Sequence, residues 1–122
     1  MTSINAMRDL PSIVITSGEP AGIGPELCAK IAMRHAREPY AARLVVIGDR
    51  GMLDARAKRI GLAPAYVDFS PEAGATPVRD AVEVWHQPVT VPVTPGALDA
   101  ANAASVITML ARACDACATG AF

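Results

Sequence analysis

Apolar residues in this chain fall into short unbroken runs, separated by stretches with helical spacing. Residues 12–16, SIVIT, and 43–49, RLVVIGD, are continuous apolar runs of strand length, the kind buried on both faces of a parallel sheet. Between them, the spacing of Leu27, Cys28, Ile31 and the stem of Arg34 predicts a helix that begins at Pro25 and is ended by Pro39. Pro25 suits a first helical turn, where its missing N–H costs nothing, and Glu26 complements the positive helix end. After the second strand, Met52, Leu53, Ala57 and Ile60 predict a short helix from about Gly51 to Ile60. Gly61 then caps it in the left-handed conformation.

The second half is less regular. Residues 65–69, AYVDF, read as a third strand, and 70–77, SPEAGATP, as a loop. The alternation in AVEVWH, 81–86, predicts an exposed or edge strand, and the Pro-broken 87–96 an extended segment. A long helix is predicted from about Pro95 to Ala118. Thr94 would be its N-cap, and Val106, Ile107, Leu110, Cys114 and Cys117 its packed face, with Gly120 as terminator. Strands alternating with helices indicate an α/β fold with a mostly parallel sheet between helical layers. The 122 residues fit a single domain, 1–122, with enough chain for a real core.

Charge narrows the function. Eleven basic residues against twelve acidic ones, with no Lys/Arg cluster, argue against a nucleic-acid or acidic-membrane partner. No apolar run approaches a membrane span, and Asp9 and Pro11 break the N-terminal segment in a way that argues against a signal peptide. Three cysteines, Cys28, Cys114 and Cys117, cannot all pair within one chain, so reduced cytoplasmic thiols are the simpler reading.

The candidate chemistry centres on Gly18, Gly22 and Gly24, in the turn between the first strand and first helix. Open α/β sheets place ligands at such turns. The glycine spacing matches neither a P-loop nor the dinucleotide fingerprint. Pro25 removes one N–H from any anion cradle, and Glu19 would repel phosphate. The residues leave two readings open, a structural corner and a ligand-lining loop. Glu19 either fixes the turn by accepting N–H bonds or faces a cleft. His35 and His86 are expected at solvated positions, not as ligands, and no His or carboxylate pair has metal-site spacing. Cys114 and Cys117 form a C-x-x-C late in a helix, where packing is a more natural role than redox or zinc chemistry.

ITSGEPAGIGPE, 15–26, resembles the N-terminal signature of the 4-hydroxythreonine-4-phosphate dehydrogenases of vitamin B6 synthesis. VPVTPGALDAANA, 91–103, and LARACDACATGAF, 110–122, are similar to later stretches of the same family, in the same order. GIGPE is also similar to the opening loop of the isocitrate and isopropylmalate dehydrogenases, whose fold that family shares. The resemblance implies a three-layer α/β/α architecture of that kind, with this chain as an N-terminal part of the nucleotide-side domain.

It further implies an oxidoreductase that uses NAD or NADP to oxidise a phosphorylated hydroxythreonine, with decarboxylation of the β-keto acid formed. A divalent metal (zinc, magnesium or cobalt) would assist, within a cytoplasmic homodimer. On this reading Gly22, Ile23 and Gly24 wall the cofactor cleft by shape. The metal and catalytic residues of the family have no counterpart in this chain, so none is assigned and the chain alone is expected to be inactive. Other readings are a paralogue acting on a sugar-acid phosphate or aromatic dihydrodiol, and a non-catalytic α/β binding module. Two further expectations follow. Gly24→Val should weaken NAD binding more than it destabilises the fold, and an exposed strand edge and apolar face should make the chain self-associate.

Overall fold

The computed structural model describes residues 10–71 and 78–122. It contains strands β1 (Ser12–Thr16), β2 (Arg43–Gly48), β3 (Val67–Asp68) and β4 (Glu83–His86). The helices are α1 (Gly24–Arg37), α2 (Arg50–Arg59) and α3 (Ala103–Ala118), the last entered through a 3₁₀ turn, Ala100–Asn102. All strand pairs are parallel, in the order β1-β2-β4-β3. The expected α/β class is observed.

Alternation along β2 assigns the two faces of the sheet. Leu44 and Val46 join Val82, Val84 and Tyr66 beneath Cys28 and Ala32 of α1 and Leu53 of α2. The other face is covered by α3 through Met109, Ala113 and Ala116. The sheet is therefore a middle layer between helices, as its continuous apolar strands require.

Several details differ from the sequence pattern. β1 lies at a sheet edge, so Ile13 remains 46% exposed and is not buried on both sides. β4 was expected to be an exposed or edge strand but is central, between β2 and β3. Its Glu83 is buried because Arg43 on β2 makes two hydrogen bonds to the carboxylate, at 2.6 and 2.7 Å. A charge in a central strand is tolerable when its partner is buried beside it. β3 is only two residues, shorter than the predicted 65–69. Residues 72–77 of the expected loop lie outside the described residues.

The third helix starts later than predicted. Thr94 is not its N-cap but pairs with Ala97 in a turn, with Gly96 at φ +82°. Asp99 instead caps the 3₁₀ turn by accepting the Ala101 N–H at 2.9 Å. The packed face is also rotated from the expected one. Ser105, Met109, Ala113 and Ala116 are buried, whereas Ile107 and Leu110 are exposed. Both faces of α3 are apolar, so periodicity could not choose between them. Gly61 is left-handed, as expected, at φ +73°, and Gly120, the expected terminator, has φ +82°.

Cys114 and Cys117 are exposed as well, contrary to the packed-face expectation. Replacing both by alanine should change stability by less than about 0.5 kcal/mol, as at ordinary surface positions. Thiol labelling of the native chain should find these two reactive. Cys28, buried beneath α1 with its thiol pushed up to about 11 by burial, should react only on unfolding. Rapid labelling of Cys28 would show that the α1 face opens readily.

His35 also departs from expectation. It is fully buried, because α1 turns Cys28, Ala32 and His35 inward and leaves Arg34 outside. Nδ1 accepts the Tyr40 N–H at 3.1 Å, and the ring stacks on Tyr40. Burial lowers the pKa below the usual 6.5, with Asp80 and the Arg79 backbone opposing. The unfolded chain thus binds a proton that the folded chain resists. Stability is fully present above pH 6.5 and falls as the pH drops towards the lowered folded value, with a slope up to about 1.4 kcal/mol per pH unit. Denaturation of the parent and of His35→Asn between pH 7.5 and 5 checks this, and the variant should show a flatter dependence.

Candidate functional site

The carboxyl ends of β2 and β4 meet the start of α2 and an irregular strap, residues 87–97. Asp49, directly after β2, organises the junction. One carboxylate oxygen accepts the Met52 N–H at 2.9 Å, capping α2, and the other accepts the Val89 N–H at 3.0 Å. Gln87 donates its N–H to the Gly48 carbonyl, and Arg50 donates its N–H to Nδ1 of His86. His86 is exposed, as expected. Further along, the Asn102 side chain accepts the N–H groups of Thr90 and Val91 at 2.9 and 3.0 Å. The strap then reaches the glycine loop, where Gly96 donates its N–H to the Ala21 carbonyl at 2.8 Å.

Between α2 and the strap lies a cleft of about 430 Å³. Met52, Ala55, Arg56 and Arg59 share one side of α2 at three- and four-residue spacing, and Val89, Pro92, Val93 and Pro95 form the opposite wall. The size falls within the usual range for small-molecule pockets, about 300–1,000 Å³. Its position at the strand ends is where open α/β sheets bind ligands.

The glycine loop borders this cleft through Arg56. That guanidinium is 4% exposed and makes two hydrogen bonds to Glu26, at 2.6 and 2.9 Å. It also donates to the carbonyls of Pro20 and Gly22. Burial raises the Glu26 pKa, but hydrogen bonds from Arg56 and the Glu26 amide, with the charges of Arg56 and Arg59, outweigh it and hold the carboxyl below its usual range. Glu26 thus occupies the positive end of α1, and no open anion cradle remains there.

The loop geometry resolves the role of Glu19. Its carboxylate accepts the Ala21 N–H at 3.1 Å, and its carbonyl accepts the Gly22 N–H at 2.9 Å. Glu19 fixes the turn. Gly18 takes the left-handed conformation at φ +76°. Gly24 is required for close approach, since a Cβ there would lie 1.9 Å from the Ser17 carbonyl oxygen. This overturns the expectation that Gly24→Val would act mainly on cofactor affinity. Of the three predicted loop residues, Ile23 is the one that projects, at 74% exposure. None of the three lines the α2–strap cleft.

Asp49, Arg56 and Asn102 were not singled out from the sequence. Asp49 was findable, as an Asp at a strand-to-helix junction is an N-cap signal. Nothing local announces the Arg56 or Asn102 contacts. Among the described residues, no three His, Cys, Asp or Glu side chains come together as a metal site, and no helix is long and apolar enough to cross a membrane.

Over 116 residues the chain is 42% identical to a 4-hydroxythreonine-4-phosphate dehydrogenase of Aromatoleum aromaticum, a match covering 95% of this chain. By sequence, the chain is related to the 4-hydroxythreonine-4-phosphate dehydrogenases. A Pseudomonas aeruginosa enzyme of that name is 44% identical over 112 residues. A solved structure from Salmonella typhimurium, provisionally described as a 4-hydroxythreonine-4-phosphate dehydrogenase, superposes with a TM-score of 0.70 at 26% identity. That superposition covers 91% of this chain and 35% of the other. The chain spans about a third of the length of the curated relatives it matches, 33% and 32% for the two named. No family profile matches it. The strap and the glycine loop, both in stretches whose resemblance to this dehydrogenase family was noted above, are thus adjacent in space.

Proposed function

We propose that this chain forms the nucleotide-side portion of an NAD(P)-dependent dehydrogenase acting on 4-phosphooxy-threonine in pyridoxine synthesis. The observation that carries the reading is 42% identity across 95% of the chain to an enzyme named for that substrate. The placement of the cleft beside the glycine loop supports it. In such a reaction NAD(P) would supply the hydride acceptor and a divalent metal would supply Lewis acidity, the metal held by residues other than those of this chain.

The chain's own contribution is shape and rigidity. Arg56 and Glu19 lock the loop, and Gly22, Ile23 and Gly24 present a wall on which the cofactor rests, with Ile23 as the exposed apolar contact. The reading assigns no catalytic base and no metal ligand to this chain. It includes a cytoplasmic homodimer as the working form. By itself the 122-residue chain should give only background NADH formation.

A chimera tests the proposal. Residues 10–122 would replace the matching third of the Pseudomonas aeruginosa relative, assayed with 4-phosphooxy-threonine, NAD and divalent metal. NADH formation well above that of the isolated chain is expected. A folded, dimeric chimera without turnover would overturn the assignment.

A further inference from the structure

We infer that the free edge of β1 seats a second copy of this chain, the two β1 strands pairing antiparallel about a twofold axis at Val14. The inference is independent of the reaction proposed above. β1 ends the sheet, with β2 beside it on the inner side. The Arg43 N–H donates to the Pro11 carbonyl and the Ser17 N–H to the Ile47 carbonyl, which fixes the residues that face β2. By the alternation of a strand, Ile13 and Ile15 face β2 as well. The N–H and C=O groups of Ser12, Val14 and Thr16 then point away from the sheet. Those outward groups meet no hydrogen-bond partner among the described residues. Natural edges are blunted by Lys, Pro, bulges or shortness. The SIVIT strand has none of these and keeps an unbroken register with β2. The opposite edge is blunted, since β3 is two residues long and its Asp68 is tied to Arg50.

Both layers flanking β1 are apolar at this edge. On the α1 side a groove of about 340 Å³ runs along Ile13, Ile15, Ile31 and Tyr40, and Ile13 is half-exposed. On the other side α3 lies over β1 and β2. One flank of α3 sends Arg112 to Trp85 of β4. The opposite flank, with Val106, half-exposed Leu110 and Cys117, therefore faces outward past β1. An antiparallel pair centred on Val14 satisfies every outward group. Val14 exchanges both bonds with the partner's Val14, and Ser12 does so with the partner's Thr16. The same register sets Ile13 beside the partner's Ile15, a β-branched cross-strand pair over the groove, and lays the α3 flanks side by side. A surface that matches itself in this way is what a twofold interface demands. A face three layers deep and one α3 long, about 24 Å, buries roughly 1,000–1,200 Å² over both copies, the lower limit for a specific interface. The dimer is therefore concentration-dependent, and the blunted β3 edge keeps it from growing further.

Light scattering of the 122-residue chain across a concentration series, with amide hydrogen exchange at both ends of it, tests the pairing. The mass should rise from monomer to dimer and stop there. Where about nine-tenths of the chain is dimeric, the Val14 and Thr16 amides should exchange about tenfold more slowly than in the dilute monomer. Ile13 and Ile15, bonded to β2 in both forms, should change little. Ile13→Lys should hold the chain monomeric, because its charge would be buried against the partner's Ile15 while the half-exposed site accommodates it in one copy. Val14→Pro should do the same by removing the outward N–H at the axis, a change that an unpaired edge tolerates. Circular dichroism establishes that each variant is folded, and if Val14→Pro is not, Ile13→Lys decides alone. A chain that stays monomeric at every concentration would overturn the inference. So would a dimer that survives Ile13→Lys, or one whose Val14 and Thr16 amides exchange as fast as in the monomer.

Discussion

Arg56→Ala should lower the unfolding free energy by about 2–3 kcal/mol, less than the roughly 3–5 kcal/mol of a fully buried ion pair because the stranded Glu26 is only partly buried. The loss is more than electrostatic. Arg56 joins α2 to the first turn of α1 through Glu26 and to the glycine loop through the carbonyls of Pro20 and Gly22. Removing it leaves the Pro20 and Gly22 carbonyls without that donor and the Glu26 carboxylate with only its own amide. Arg56→Lys should rescue little, since one ammonium cannot serve a carboxylate in two places and two carbonyls at once.

The effect has a pH signature. The folded Glu26 pKa lies below the ordinary 4.5, so its contribution is fully present above that pH and is lost as acidity carries the solution through the folded value. Chemical denaturation at pH 7 and pH 3.5 should show a larger gap between parent and variant at the higher pH. A difference below about 1 kcal/mol at pH 7 would mean that the loop and helices hold together without this guanidinium.

Gly24→Val should abolish stable folding or lower stability by more than about 3 kcal/mol, at the severe end of overpacking. The obstacle is backbone, the Ser17 carbonyl, which no rotamer change can move aside. Even Gly24→Ala should be strongly destabilising. Gly51→Ala is the informative contrast. Its Cβ would meet only an Asp49 carboxylate oxygen at an ordinary 3.6 Å, in the first turn of α2. That substitution should raise stability by roughly 0.5–1 kcal/mol through helix propensity. Thermal melts of the three variants check both signs, and a well-folded Gly24→Val chain would remove the close-approach argument.

The architecture was legible because β1, β2 and α1 obey simple periodicities and are bounded by Pro, Gly and Asp. Faces and edges were less so. Glu83 made β4 look solvent-facing, and only the distant Arg43 explains its burial. In α3, alanines and cysteines spread apolar character around the helix, so the sequence named the wrong stripe. His35 looked solvated beside Arg34 and Arg37, yet one helical position decides between solvent and core. The glycine loop was singled out from the sequence, but its rigidity depends on Arg56, thirty residues from Glu26 in sequence. Such long-range polar contacts have no periodic trace.

The aromatic cluster on the α3 side of the sheet gives the molecule an optical reporter. Trp85 is the chain's only tryptophan; the Arg112 guanidinium lies 4.4 Å from its ring, and the ring stacks near Phe122. Its emission therefore follows the seating of α3 and of residue 122 against the sheet. The α2–strap cleft contains no aromatic side chain. A fluorescence change on adding nucleotide would accordingly signal motion of the helical layer across the sheet, whereas occupation of the cleft alone should leave the emission dark to the event.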